Sequence, residues 1–158
     1  MTLPGIPHDP ALPHLPLALD PARMARLFEA RLGGLQVHGC TIDRVKYRRQ
    51  RNCSVSYRLQ VQGRDGRCFE QRVAARWSTC GESLRRHAAA LAAGTVPSVA
   101  GPAVQHEPAL EMVACWLPND PKLAALRLLL DDAAELHHFV LQQLQLIEQL
   151  AAAGGRRL

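Results

Sequence analysis

From Cys53 to Val61 every second residue is apolar: Cys53, Val55, Tyr57, Leu59 and Val61 alternate with Ser54, Ser56, Arg58 and Gln60. A period of two held over nine residues commits this stretch to a β-strand with one buried and one wet face. The same alternation precedes it, where Val45 and Tyr47 are interleaved with Arg44, Lys46 and Arg48. Arg49 to Asn52 then has to be a turn, and the two runs form an antiparallel hairpin with strands at about 42–48 and 53–62. After the turn signal Gly63-Arg64-Asp65-Gly66, a third strand at about 67–77 carries Phe69, Val73, Ala75 and Trp77 on one side and Glu70, Arg72 and Arg76 on the other. These three strands predict a meander whose apolar face requires cover.

The cover is expected from helices. Asp20-Pro21 supplies an N-cap and a first-turn proline, and Met24, Leu27, Phe28 and Leu32 make one apolar stripe over 21–32, stopped by Gly33-Gly34. Thr79 and Glu82 have capping-box spacing for a helix over 82–93, with Leu84, Ala88 and Leu91 facing inward. Two further strands are predicted at 102–106 and 109–117, the second placing Leu110, Met112, Ala114 and Trp116 on one face. Asn119-Asp120-Pro121 opens a helix over 121–130, and Asp132 with Glu135 opens another over 133–151 with a stripe of Leu136, Phe139, Val140, Leu144, Ile147 and Leu150. The five prolines within residues 1–19 deny that segment an apolar period, so it reads as a lead-in lying over the surface or disordered, and 153–158 as a frayed tail. The expected fold class is α+β, one domain over 20–152 with about five mainly antiparallel strands and flanking helices.

Composition narrows the function classes. Of 158 residues 47% are hydrophobic and only 4% aromatic, so Leu, Ala and Val must fill the core. Five cysteines, an odd number without a close pair, argue for reduced thiols and a cytoplasmic chain and against a structural zinc. The longest apolar run is too short to span a bilayer. Charge is unevenly placed: residues 41–90 hold twelve Arg or Lys against four Asp or Glu, whereas residues 101–150 hold two against seven. Such a dipole steers an anion or an acidic partner to the hairpin side. The histidines sit in no local pairing with a nucleophile or a carboxylate.

In order along the chain, Val45 to Leu59, the third-strand ending Val73-Ala74-Ala75-Arg76-Trp77, and Trp116-Leu117-Pro118-Asn119-Asp120-Pro121 through Leu126 resemble the N-terminal part of bacterial aminoglycoside-phosphotransferase-like proteins, whose architecture is similar to protein kinases. The resemblance covers residues 20–132. It implies a kinase-like N-lobe, a five-stranded antiparallel sheet with a helix, in which a third-strand lysine touches nucleotide phosphates and pairs with an acid on the next helix. Here the matching positions are Ala75 or Arg76 and Glu82, and the turn that should wrap phosphates, Arg49-Gln50-Arg51-Asn52, has no glycine. The His-x-Asp and metal-binding segment of the second lobe has no counterpart after residue 132.

The expected function is therefore a non-catalytic, N-lobe-like binding or regulatory domain, related to a truncated or split phosphotransferase. No catalytic or metal-binding residue is assigned and no cofactor is required; Arg76, Glu82, Arg49 and Arg51 are the candidate cofactor-binding residues. A second reading is an ATP- and Mg²⁺-dependent small-molecule phosphotransferase completed by a partner chain; the 133–151 helix, whose stripe Leu141 and Leu146 widen, is the expected surface for a protein partner or for self-association. A third is salt-sensitive nucleic-acid binding by the hairpin, disfavoured because Tyr47 and Tyr57 fall on the buried face and offer no stacking platform.

Overall fold

The computed structural model describes residues 5–123. The expected helix 133–151, with Leu141 and Leu146, and all but the first three residues of the helix expected over 121–130 lie outside that range. Five strands form one sheet, antiparallel throughout, in the order β1-β2-β3-β5-β4. They are β1 (Gln36–Arg48), β2 (Asn52–Gln62), β3 (Cys68–Ser78), β4 (Val104–Glu107) and β5 (Met112–Trp116). The helices are α1 (Leu15–Ala18) and α2 (Pro21–Glu29) before the sheet and α3 (Glu82–Ala92) between β3 and β4. No helix among the described residues is long and apolar enough to cross a membrane.

The period-two alternation sets the layers. Cys53, Val55, Tyr57, Leu59 and Val61 of β2 are buried, and so are Val73, Ala75 and Trp77 of β3 and Met112, Ala114 and Trp116 of β5. All of them belong to one core with Met24 and Phe28 of α2. Asp20 caps α2 by accepting from the amides of Ala22 and Arg23, both at 3.1 Å, and the i, i+4 spacing of Met24 and Phe28 brings them onto the sheet. Phe28 meets Tyr57 and Trp116 edge-on, with ring centroids at 5.2 and 5.6 Å. β2 and β3 pair without a register break from Asn52 opposite Ser78 to Gln62 opposite Cys68. β1 starts six residues before the predicted 42, because breaks in register between Val37 and Gly39 and between Ile42 and Arg44 let it keep pairing through a stretch that does not alternate.

The proline-rich lead is part of the core. Leu12, Leu15 and Ala18 are buried, and Pro16 sits in the first turn of α1, where its missing N–H is not needed. Asp9 is the clasp. Its carboxylate accepts from the Tyr47 hydroxyl at 2.8 Å, the Gln50 amide at 2.7 Å and the Ala11 amide at 3.0 Å, which ties the lead to the β1–β2 turn. The Gln50 amide, helped by Tyr47 and Ala11, holds the Asp9 carboxyl below its ordinary value of 3.8 against the opposing effect of burial. A depressed carboxylate stabilises the fold above its unfolded pKa and ceases to do so as pH falls through the folded one. Asp9→Asn is thus expected to be less stable than wild type at neutral pH, with the gap closing below about pH 4. Urea denaturation from pH 7 to pH 2 measures this, and a gap independent of pH would remove Asp9 from the clasp.

α3 turns a different face inward from the one its leucines suggest. Ser83 and Ala90 are buried, whereas Leu84 and Leu91 are 63% and 53% exposed and Ala88 is exposed with them. The capping box also does not form. Gly81, in the left-handed conformation, is the N-cap without a side-chain bond, and Glu82 bonds Arg86 one turn on. The amides of Gly81 and Ser83 are taken instead by the carboxylate of Glu111, at 3.2 and 3.4 Å, from the tight turn between β4 and β5. That long-range cap fixes the helix rotation. Ser83 Oγ then lies 3.1 Å from His106 Nε2, and the His87 ring stacks on His106 at 4.8 Å.

Candidate functional site

Strand alternation and register together build the face of the sheet opposite the core. One cross-strand row runs Lys46, Ser54, Arg76, Val113, His106 over all five strands. The next runs Arg44, Ser56, Ala74, Cys115, Val104. Ser54 and Ser56 of β2 are short, so only low side chains of β2 separate Arg44 and Lys46 of β1 from the Arg76 position of β3. α3 lies over the β4 side of the same face, through Ser83 and His87 against His106.

The cations here fall into two groups. Arg58 pairs with Asp43, Arg72 with Glu70 at 2.9 Å, and Arg86 with Glu82 at 2.6 Å, so these charges are locally balanced. Arg44, Lys46, Arg48 and Arg76 have no such ion pair among the described residues. Arg76 stands apart because its Nε is buried and has no hydrogen-bond partner. Burial pulls the guanidinium below its ordinary pKa, Arg86 and Arg48 act in the same direction, and Glu82 opposes them. Arginine remains charged under such shifts, so the result is a half-buried cation with a donor to spare.

Of the four candidate residues, Arg76 and Glu82 come together, with Arg86 and Arg48 beside them. Glu82 gives its carboxylate to Arg86 and reaches Arg76 only through charge. Arg49 and Arg51 are exposed in the β1–β2 turn, and Arg49 acts on Asp9 and Tyr47, on the lead side. They do not share the Arg76 row. Arg48 and Arg86 are the neighbours that the sequence did not single out; the strict alternation of β1 put Arg48 on this face, but the rotation of α3 that brings Arg86 near has no local signal. Among the described residues no group of three or more His, Cys, Asp or Glu is arranged to hold a metal ion.

No protein-family model, no curated protein and no solved structure matches this chain.

Proposed function

We propose that this chain is a non-catalytic binding domain with a kinase N-lobe-like plan, and that the α3-side face of its sheet receives a phosphate-rich small molecule of the nucleoside-triphosphate class. The observation that carries the reading is Arg76: a half-buried guanidinium with a buried, unpartnered Nε which, like Lys46 in the same cross-strand row, is held in no ion pair among the described residues. A planar fork of donors suits phosphate oxygens, and one held partly out of water binds them more strongly than a surface lysine does. The plan of a three-stranded meander, a helix and two more antiparallel strands supports the N-lobe likeness drawn from the sequence. The β1–β2 turn argues against a close phosphate cradle, since Gln50 occupies its left-handed position with a φ of 56° and its amide is already given to Asp9.

Titration calorimetry with ATP and with inorganic tripolyphosphate tests this reading. Binding of both is expected, weakening with salt, and Arg76→Ala should lose about tenfold or more in affinity, the scale of one charge-assisted hydrogen bond. Loss of binding in Lys46→Ala but not in Arg76→Ala would refute the anchor. Phosphate transfer from ATP by the purified chain would replace the non-catalytic reading with that of a phosphotransferase.

A further inference from the structure

The two edges of the sheet are finished differently. β4 has four residues and α3 lies against it, whereas β1 runs for thirteen residues and pairs on one side only, with β2. Such a strand leaves the N–H and C=O groups of every second residue pointing away from the sheet. Among the described residues no backbone hydrogen bond reaches Arg44 to Tyr47 from outside the β1–β2 ladder. Both breaks in the register of β1 lie before Arg44, so the edge from Arg44 to Arg48 is unbroken. Its wet face carries Arg44, Lys46 and Arg48, all exposed and in no ion pair among the described residues, and the adjoining Asp43 is already paired with Arg58. On the core face Val45 is 44% exposed although its partner Val55 is 1% exposed, so the core layer stops short of the edge there. Asp9 holds the Tyr47 hydroxyl and anchors this end of the strand.

We propose that the edge of β1 from Arg44 to Arg48 receives an extended acidic segment of another protein, added to the sheet as a further strand, with Asp or Glu at alternate positions and apolar residues between them. Neighbouring strands set their side chains side by side on each face, so the acids of that segment stand next to Arg44, Lys46 and Arg48 and an apolar residue next to Val45. The same geometry disfavours a second copy of β1, which would bring its three cations beside these three. A nucleic-acid strand answers the charges, but it leaves Val45 uncovered and the free backbone groups without a ladder. Lysine on an edge guards against chance pairing, and here it makes the choice of partner a matter of charge. The pairing needs no part of the phosphate-binding reading and stands if that reading fails.

The probe is a short peptide alternating glutamate with valine. In hydrogen exchange of the full chain followed by ¹H–¹⁵N spectra, every second amide from Arg44 to Tyr47 is expected to exchange freely without the peptide and about tenfold or more slowly when it is saturating. Lys46→Glu should weaken binding about fivefold or more at low salt. Of two peptides N-methylated at the glutamates or at the valines, only one should lose its affinity, because alternate amides of a strand face the same neighbour. Equal affinity of the two methylated peptides, or no protection of any β1 amide, would overturn the proposal. A thymidine oligonucleotide of the same charge that binds more tightly than the peptide would overturn it as well and make nucleic acid the occupant. Should Lys46→Glu fail to fold, the amide protection in the wild-type chain decides the matter.

Discussion

Replacing Phe28 by alanine is expected to lower the unfolding free energy by about 3–5 kcal/mol, the usual range for removing a buried aromatic ring. Phe28 is fully buried and, among the described residues, is the ring that meets both Tyr57 on β2 and Trp116 on β5. Its loss therefore opens a void between α2 and two strands at once, and it removes two edge-on aromatic contacts worth about 0.5–1.5 kcal/mol each beyond burial. Domains of this size are stable by about 5–15 kcal/mol, so the variant is expected to sit close to unfolding at room temperature. Phe28→Leu keeps the apolar character and much of the volume and should recover more than half of the loss. Guanidinium denaturation followed by circular dichroism measures both. A loss below about 1 kcal/mol for the alanine variant would mean that α2 does not close this core.

The second large effect is predicted at Gly101. Its φ of +77° lies in the left-handed region, and a Cβ built there would stand 2.6 Å from Cζ3 and 2.7 Å from Cε3 of Trp116. The ring has no easy retreat, since it is fully buried, packs on Phe28 and donates to Gln105. Gly101→Ala thus combines backbone strain of about 1 kcal/mol with overpacking of about 1–3 kcal/mol. Gly66→Ala separates the two contributions, because Gly66 has a φ of +81° but nothing within 4 Å of the added carbon. A fall in Tm for Gly101→Ala no greater than for Gly66→Ala would show that the ring yields without cost.

The parts of this fold that were legible in the sequence are those governed by local periodicity. The alternation of Cys53 to Val61 and of Phe69 to Trp77 placed the buried and wet faces of β2 and β3, and Asp20-Pro21 marked the start of α2. What escaped was set by partners distant in the chain. Asp9 finds its acceptor role 38 and 41 residues away, at Tyr47 and Gln50, and nothing in a run of prolines announces it. The leucine stripe of α3 pointed to Leu84, Ala88 and Leu91 as the inward face, but Glu111 takes the first amides of the helix from 28 and 30 residues away and turns Ser83 and His87 to the sheet. Arg76 could be placed on the wet face by counting along β3. That its Nε would be buried depends on register with Ser54 and Val113 and on α3, which no local pattern encodes.

The strand order carries a consequence for the history of the molecule during synthesis. β5 lies between β3 and β4, although it is made after both. Until Met112 to Trp116 have emerged, β3 has an unpaired edge along Val73 to Trp77 and β4 has no neighbour at all. The meander of β1 to β3 can form early from contacts near in sequence, but the sheet closes only when its last strand is threaded into the gap. A nascent chain at that stage presents an open strand edge to any other extended segment, so mispairing is favoured in the interval between the synthesis of residue 78 and that of residue 116.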